Sequence, residues 1–193
     1  MLKEVMQTEC DAIKKMIDET DGQYDEVLNL LSASHGRIVF LGVGKSSHIG
    51  MKLAATFSSL GIPSIFVHCT EAMHGDLGMI SSQDVAILIS NSGRTKETVQ
   101  TVAPLKRNGV LTIAFTSEKE SVLAKECDYT ILFPKLDEAD ALHLAPTVSS
   151  TLTLVLGDAI ACELSERKKF TRHDFYRYHP NGALGEKLAA EES

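Results

Sequence analysis

The stretch Val85-Ala-Ile-Leu-Ile-Ser-Asn-Ser-Gly-Arg-Thr95 decides the fold of this chain. Its first five residues are all apolar, which is typical of a buried strand in a parallel sheet. The next six residues carry three hydroxyls and a glycine where the strand is expected to turn into a helix. Because a helix start leaves backbone N–H groups unpaired and carries partial positive charge, this turn predicts a phosphate site.

Strands and helices alternate on both sides of this stretch. The predicted strands are residues 37–41, 64–67, 84–89, 111–115 and 129–133, and the predicted helices are residues 24–33, 46–60, 95–108, 121–126 and 147–166. Residues 68–80 are predicted as a long connection with room for one helical turn. The alternation predicts an α/β fold, a parallel sheet covered by helices on both faces, with ligands bound beyond the carboxyl ends of the strands.

An additional amphipathic helix is predicted ahead of the first strand. Acids and lysines separate apolar residues that recur at helical spacing, namely Leu2, Val5, Met6, Cys10, Ile13, Met16 and Ile17. We expect this apolar stripe to cover either the domain itself or a neighbouring subunit.

The composition limits the classes of function. The chain has 193 residues, 44% of them apolar and 23% charged, as in an ordinary globular protein with one domain. Its formal net charge is −7 and no run of lysine and arginine occurs, so we expect no nucleic-acid partner. An acidic protein that binds phosphate must do so locally, through backbone amides, hydroxyls and a few placed cations.

The cysteines and the N-terminus indicate a cellular compartment. Cys10, Cys69, Cys127 and Cys162 lie far apart with no metal-site spacing, so we predict small buried residues in a reducing compartment. The N-terminus carries acids where a signal peptide needs an apolar core, and no apolar run approaches the roughly 20 residues that span a bilayer. We therefore predict a cytoplasmic protein with no membrane partner.

A second glycine turn, Gly42-Val-Gly-Lys-Ser-Ser-His-Ile-Gly50, leads from a strand into a helix. It fails the dinucleotide fingerprint, because Ser47 stands where the third glycine is needed. It fails the P-loop pattern too, because Val39 stands where the first glycine is needed. Lys45 is then either a solvated turn lysine or, at the ligand edge of the sheet, a cation for a phosphate or an oxyanion.

Histidines and carboxylates in the predicted loops are candidates for proton transfer. His74 and His143 lie in connections that follow strands, and His179 lies near the C-terminus beyond the last long helix, yet each could equally be structural. Glu97 falls in a first helical turn, where the helix dipole alone favours a carboxylate, and Glu138 belongs to an acidic stretch that solvation alone could explain. No metal-ligand cluster is apparent. The residues alone support a phosphate-compound-binding α/β domain with acid–base groups.

Several short motifs carry a resemblance to a known family. Ser90-Asn-Ser-Gly93 and Gly44-Lys-Ser46 resemble the sugar isomerase (SIS) domain, which binds phosphosugars. A narrower set resembles the D-arabinose-5-phosphate isomerases: His74-Gly-Asp-Leu-Gly78, Leu144-Ala-Pro-Thr147, Leu154-Val-Leu-Gly-Asp158 and His179-Pro-Asn-Gly-Ala-Leu-Gly185. Together the motifs span residues 37–188.

The resemblance implies a fold and a reaction. It implies a single SIS domain over residues 1–193, with N-terminal helices in residues 1–34 and the α/β core and C-terminal segment in residues 35–193. The implied fold is a three-layer α/β/α sandwich around a five-stranded parallel sheet, assembled as a homotetramer whose sites are shared between subunits. The implied reaction is the reversible isomerisation of D-ribulose 5-phosphate and D-arabinose 5-phosphate through a cis-enediol. That reaction supplies synthesis of the sugar Kdo for lipopolysaccharide or capsule, and it needs no cofactor or metal.

The resemblance also assigns site residues. Its catalytic groups match Lys45, Glu97, Glu138, His74 and His179. His179 is our first choice for proton transfer, with Glu97 or Glu138 as competitor and His74 as partner, and the residue that takes the carbon-bound proton stays open. The phosphate is assigned to the two glycine turns, through Ser46, Ser47, Ser90, Ser92, Gly93 and Thr95.

Some positions depart from the family pattern. Many relatives have glycine at the positions of Ser47, His143 and Asn181, and glutamate at the position of Arg94. Many also continue into a pair of CBS domains, whereas this sequence ends at Ser193, so we expect control at the site itself by a Kdo-type sugar nucleotide. The alternatives are a SIS isomerase for a hexulose or heptulose phosphate and a non-catalytic phosphosugar sensor. The helix-turn-helix domain typical of such sensors is not apparent.

Overall fold

The chain folds as an alternation of strands and helices. The computed structural model describes residues 1–179 and 181. The strands are β1 (Ile38–Gly42), β2 (Ser64–His68), β3 (Val85–Ile89), β4 (Leu111–Thr116) and β5 (Tyr129–Leu132). The helices are α1 (Leu2–Glu19), α2 (Asp25–Ala33), α3 (Lys45–Ser59), α4 (Cys69–Ala72), α5 (Lys96–Arg107), α6 (Val122–Glu126), α7 (Val148–Arg167) and α8 (Arg172–Tyr178). A 3₁₀ turn, Asp76–Met79, follows α4.

The strands form one parallel sheet in the order β2-β1-β3-β4-β5, which confirms the predicted sheet. Phe40 of β1 lies opposite Phe66 of β2 and Ile87 of β3. The chain leaves β1 towards β2 on one side, whereas it leaves β3 towards β4 on the other. The carboxyl ends of β1 and β3 therefore form the topological switch point, where α/β sheets open a crevice for ligands.

Alternate strand residues face two separate apolar cores. On one face, Phe40, Ile87 and Phe115 belong to the core that α1, α2, α3 and α7 cover. On the other face, Leu41 and Leu88 belong to the core that α4, α5 and α6 cover. The two cores on either side of one sheet confirm the three-layer α/β/α sandwich.

Helix α7 runs through the first core, and its apolar composition follows from that position. Gly157 of α7 allows close packing on α3, because a Cβ there would lie 2.5 Å from a methyl carbon of Leu53. By length and composition alone α7 could also cross a membrane, but 56% of its most apolar window is already buried inside the domain. Packing in an α/β core accounts for those residues.

The apolar stripe of α1 is only partly covered by the rest of the chain. Ala12 and Met16 are buried against the core, while Leu2, Met6 and Ile17 are exposed. The helix contacts α7 along one side only, so a second copy of the chain stays the predicted cover for the remainder.

The prediction that all the cysteines are buried is wrong for two of them. Cys69 and Cys127 are buried, and burial is the largest cause that raises the pKa of their thiols, to about 11 and about 12. Cys10 and Cys162 are exposed on α1 and α7. They lie on the sides of these helices that point away from the core.

Every predicted strand, and every helix predicted with bounds, agrees with the structure to within one residue at each end. Helix α8 was not predicted, although its start carries a recognisable signal. The Thr171 hydroxyl accepts the backbone N–H of Asp174, and the Asp174 carboxylate accepts the backbone N–H of Thr171, which together make a capping box.

Candidate functional site

Three connections meet at the carboxyl ends of the strands near the switch point. Residues 43–44 join β1 to α3, residues 90–95 join β3 to α5, and residues 133–147 join β5 to α7. The first two leave the neighbouring strands β1 and β3, so the sheet itself brings them side by side. The third arrives from the far side of the sheet, because α7 packs back against α3.

The loop of residues 90–95 is held in shape by its own hydroxyls and by the end of β4. The hydroxyls of Ser90 and Thr95 lie 2.9 Å apart. The carbonyl oxygen of Asn91 accepts the Thr116 hydroxyl at 2.9 Å. Gly93 has a φ of 58°, and a Cβ there would lie 2.1 Å from Oγ of Ser121. The loop therefore requires glycine at position 93, both for its backbone conformation and for this close approach.

Two helices begin beside the crevice without a side-chain cap. Thr95 is the N-cap residue of α5, but it makes no capping hydrogen bond, since its hydroxyl is paired with that of Ser90. Gly44 is the N-cap residue of α3 and has no side chain to offer. Both helix starts consequently keep backbone N–H donors for an external anion.

The predicted phosphate ligands fall into two groups by their contacts. Ser47 is buried, and its hydroxyl donates to the carbonyl of Gly44 at 2.7 Å. It therefore supports its turn, as the pair Ser90 and Thr95 supports the other turn. Ser46 lines the crevice, and Ser92 is exposed at the loop tip, where its hydroxyl accepts the N–H of Arg94 at 3.3 Å.

A cavity of about 260 Å³ lies at the switch point. It is bounded by the start of α3, the end of β3, the β5–α7 connection and the first turns of α7. Three of the residues assigned from the sequence line it, namely Lys45, Ser46 and Glu138. Its other lining residues are Ile49, Ile89, Asn91, His143, Leu144, Pro146, Ser149, Ser150 and Thr153.

Glu138 closes the start of α7. Its carboxylate accepts the backbone N–H of Thr147 at 2.8 Å and that of Ser149 at 3.2 Å. It also accepts the hydroxyls of both residues, the Ser149 bond being very short. The interpretation of Glu138 as a merely solvated acid does not hold, because the helix start fixes this carboxylate at the wall of the cavity.

The connection after Glu138 is organised by Asp140. The Asp140 carboxylate accepts the N–H groups of Leu142, Leu144 and Ala145 at 2.8–3.0 Å. Lost hydration acts to raise the pKa of Asp140, but these hydrogen bonds outweigh it and the pKa is lowered. His143 lies inside this turn with a φ of 53°, and its Nδ1 is 2.7 Å from the carbonyl oxygen of Glu138.

Glu97 lies in the first turn of α5 and is exposed. It does not line the cavity. The helix that carries it packs against α4, the helix that follows β2. Its roles as a dipole partner and as a catalytic carboxylate both stay predictions.

The two assigned histidines lie away from the cavity of their own chain. His179 follows α8, and its Nε2 is 2.9 Å from Oγ of Ser59, the last residue of α3. Since Lys45 is the first residue of this 15-residue helix, about 20 Å separates the two ends. His74 is exposed in the turn between α4 and the 3₁₀ turn. Of the motif that begins at His179, Pro180 and Gly182 to Gly185 lie outside the described residues.

Sequence reasoning missed the contributions of Asn91 and Ser149 to the crevice. Asn91 follows Ile89 by two residues, so a strand-end rule could have identified it. Ser149 could have been identified only by knowing that Glu138 turns back to the start of α7. His143 was predicted as a candidate for proton transfer and as a departure from relatives, and it lines the cavity.

Fold and site together define a class of protein. At the switch point of this α/β sheet lie two helix starts without side-chain caps, a lysine and a partly buried carboxylate. Such a site is suited to binding a phosphorylated small molecule. The SIS domain family matches residues 30–162. The chain therefore belongs to the SIS domain family.

Two known arabinose 5-phosphate isomerases are similar in sequence to this chain. The arabinose 5-phosphate isomerase KdsD of Yersinia pestis is 44% identical over 186 residues, which cover 96% of this chain and 57% of that protein. KpsF of Escherichia coli, also an arabinose 5-phosphate isomerase, is 46% identical over 176 residues, or 91% of this chain and 55% of KpsF. The chain thus spans little more than half the length of these curated relatives.

A solved structure matches over nearly its whole length. It is a protein of Escherichia coli CFT073 in complex with arabinose 5-phosphate, with a TM-score of 0.91 and 51% sequence identity. The match covers 93% of this chain and 95% of that one. A phosphosugar isomerase of Bacteroides fragilis, described as putative and involved in capsule formation, has a TM-score of 0.85 and 34% identity over 90% of this chain and 93% of its own.

Proposed function

We propose that this protein is an arabinose-5-phosphate isomerase, which interconverts D-ribulose 5-phosphate and D-arabinose 5-phosphate. The observation that carries the proposal is the crevice at the switch point, where uncapped helix starts adjoin a cavity lined by Lys45 and Glu138. Such a crevice offers a phosphate anchor and acid–base groups together. The similarity to KdsD, to KpsF and to the solved complex with arabinose 5-phosphate supports this substrate among phosphosugars.

The phosphate binds at the two helix starts in this proposal. Backbone N–H groups of the first turns of α3 and α5 donate to it, with the hydroxyls of Ser46 and Ser92. Ser47, Ser90 and Thr95 hold the two turns in shape through the hydrogen bonds they already make. Gly93 provides the tight backbone that the loop needs. This anchor keeps the phosphorylated end of the pentose away from the carbons that react.

Isomerisation moves a proton between C1 and C2 through a cis-enediolate, so it needs a base and a cation beside the developing oxygen charge. Lys45, at the cavity wall, stabilises the enediolate oxygen or the phosphate. Glu138 is the assigned carboxylate that lines the cavity within one chain. Glu97, at the neighbouring helix start, stays its competitor for the carbon-bound proton.

A second copy of the chain completes the site in this proposal. His74 and His179 lie away from the cavity of their own chain, so they reach a site only by entering that of a neighbouring subunit. The exposed residues Leu2, Met6 and Ile17 of α1 supply apolar surface for such an assembly. We propose a cytoplasmic homotetramer of single SIS domains, residues 1–193, that supplies Kdo synthesis and is inhibited by a Kdo-type sugar nucleotide.

Incubation with ribulose 5-phosphate in D₂O, followed by NMR, tests the reaction. We expect arabinose 5-phosphate to appear, with deuterium at C2 wherever the abstracted proton exchanges with solvent before it returns. Glu138→Gln keeps the shape of the side chain and removes its charge, so it is the matched variant and should slow conversion sharply.

A panel of other phosphosugars separates the proposal from its alternatives. Turnover of a hexulose or heptulose phosphate without turnover of ribulose 5-phosphate would identify a different SIS isomerase. Saturable binding of arabinose 5-phosphate with no deuterium exchange at C2 would identify a sensor instead.

A further inference from the structure

His143 lines the cavity and has one ring nitrogen without a hydrogen-bond partner in the described part of the chain. Its side chain lines the cavity together with Lys45 and Glu138. Only Nδ1 of the ring is hydrogen-bonded, to the carbonyl oxygen of Glu138 at 2.7 Å. Nε2 has no hydrogen-bond partner among residues 1–179 and 181.

The contact at Nδ1 decides what Nε2 can do. A carbonyl oxygen only accepts hydrogen bonds, so Nδ1 carries the hydrogen and Nε2 of the neutral ring bears the lone pair. The ring is also fixed in place, because the Asp140 carboxylate binds the N–H groups on either side of the turn. His143 therefore holds a proton acceptor in a constant position at the wall of the cavity.

The backbone at His143 is unusual enough to require a reason. Its φ of 53° lies in the left-handed region, where glycine is the least strained residue and where histidine and asparagine are tolerated. The turn hydrogen bonds of Asp140 are made by backbone N–H groups and do not need an imidazole. An exposed histidine at such a position adds a functional group to the cavity that glycine would leave out.

The other ionisable residues that line the cavity, Lys45 and Glu138, already have other roles in the proposed function. Both oxygens of Glu138 accept hydrogen bonds from the start of α7. Lys45 is assigned to the enediolate oxygen or the phosphate, and Glu138 is a candidate for the carbon-bound proton. Among the described residues that line the cavity, His143 is thus the neutral base with a vacant lone pair.

We propose that His143 opens the furanose ring of the aldose phosphate, an assignment that rests on the proposed function. Arabinose 5-phosphate closes through a C1–O4 bond, whereas the isomerisation needs the open aldehyde. Nε2 takes the proton of the anomeric hydroxyl, and the electron pair released on O1 forms the C1=O1 double bond. The C1–O4 bond breaks, O4 takes a proton from water, and the hydroxide so formed is neutralised by the proton on Nε2.

The test compares two substrates in one variant, His143→Asn. Asparagine tolerates the same backbone conformation, and its side-chain N–H can replace Nδ1 in the bond to Glu138, so only the Nε2 lone pair is lost. The second substrate is the 4-deoxy analogue of arabinose 5-phosphate, which lacks O4 and cannot close the furanose ring. We expect kcat/KM for arabinose 5-phosphate to fall at least about tenfold, with kcat/KM for the analogue unchanged within about twofold.

His35→Asn is the control, because His35 is exposed ahead of β1 at the opposite edge of the sheet and should change neither value. An equal loss on both substrates would reduce His143 to a structural residue of the turn. Unchanged kcat/KM on both would remove its role altogether. If the wild-type protein converts neither sugar, the proposed function itself fails, and that result is distinct from either outcome in the variant.

Discussion

The start of α5 and the start of α7 lie at the same edge of the sheet and have opposite arrangements. At α5, the hydroxyl of Thr95 that could cap the helix is paired with Ser90, and the first-turn N–H groups receive no side chain. At α7, the carboxylate of Glu138 takes the N–H groups of Thr147 and Ser149. One helix start is left for an external anion, while the other holds an anion of the chain itself.

The difference shows how one physical device supports two functions. Backbone N–H groups and the helix dipole favour negative charge at either start. Where the chain provides none, a phosphate can bind. Where it provides Glu138, a carboxylate becomes fixed at the wall of the cavity that Lys45 also lines. In the proposed function, binding and chemistry are thereby separated onto two helices that begin at the same edge of the sheet.

Removal of the charge of Glu138 should have the largest effect. Glu138→Gln keeps much of the contact with α7 but cannot act as a base, so we expect kcat to fall by roughly 10²–10⁴-fold. Asp137→Asn is the matched control, because Asp137 is an exposed neighbour and should leave kcat unchanged within about twofold. Steady-state kinetics on both variants, with circular dichroism to verify folding, makes the comparison. A Glu138→Gln enzyme with full activity would leave Glu138 as a helix cap only.

Distortion of the loop of residues 90–95, which leads into α5, should have the next largest effect. In Gly93→Ala, the new Cβ would approach Ser121, and a φ of 58° disfavours any Cβ. We expect kcat/KM to fall about 100-fold, mainly through weaker binding of the phosphate, since small displacements of an anchor are costly. Competitive inhibition by inorganic phosphate should weaken in parallel.

Gly109→Ala separates backbone strain from the clash. Gly109 has a φ of 75° beyond the far end of α5, and its nearest neighbour atom would lie 3.4 Å from a Cβ. This control should lose about 1 kcal/mol of stability while keeping its KM. Equal kinetic losses in the two glycine variants would argue against a phosphate site at the loop of residues 90–95.

The sequence predicted the open helix start better than the closed one, and the reason is the range of the interactions. The strand, the turn and α5 are local, so residues 85–102 contain their own signals of apolar run, hydroxyls and glycine. Glu138 meets its partners 9 and 11 residues later, after the turn that Asp140 organises. No periodicity marks such a contact, so the sequence presented Glu138 as one more acid in a polar loop.

The positions of the histidines were unpredictable from the sequence for a different reason. His179 is carried by α8 to the end of α3, which is the opposite edge of the sheet from Lys45. Motif matching gives a residue a role without saying which copy of the chain presents it. Only the three-dimensional path of α8 reveals that a single chain does not bring His179 to its own cavity.

Asp84 is a carboxylate with a structural role, in contrast to the catalytic role proposed for Glu138. It is buried at the amino edge of the sheet, where it accepts the backbone N–H groups of Arg37 at 2.7 Å and Ser81 at 2.8 Å and pairs with the Arg37 guanidinium. Burial acts to raise the pKa of Asp84, but these partners outweigh it and lower the pKa from 3.8 to about 2. Asp84→Asn should therefore lose about 2 kcal/mol of unfolding free energy at pH 7 while kcat stays the same.

The lowered pKa of Asp84 predicts how its contribution to the free energy of unfolding changes with pH. Because the folded pKa lies below the unfolded value, the stabilisation is fully present above about pH 4 and is lost as the pH falls towards 2. Urea denaturation of both proteins at pH 7 and pH 3 should show the difference shrinking at the lower pH. A difference that persists unchanged at pH 3 would assign the loss to packing.

The smallest expected effect comes from Ser90→Ala, which lets the open helix start close. Loss of the Ser90 hydroxyl leaves that of Thr95 without its partner at 2.9 Å, and Thr95 already has the extended backbone of an N-cap residue. Its hydroxyl can then turn to the first-turn N–H groups of α5, a contact worth about 1 kcal/mol. The helix would gain about what the loop loses, so the free energy of unfolding should change by less than about 0.5 kcal/mol. The KM for arabinose 5-phosphate should rise about fivefold, because those donors are now occupied.

A second substitution, Thr95→Val, removes the competing hydroxyl, so the Ser90→Ala/Thr95→Val double variant should recover part of the lost affinity for inorganic phosphate. If it binds phosphate more weakly than Ser90→Ala alone, the Thr95 hydroxyl is itself a phosphate ligand and the start of α5 is not open in the sense used here.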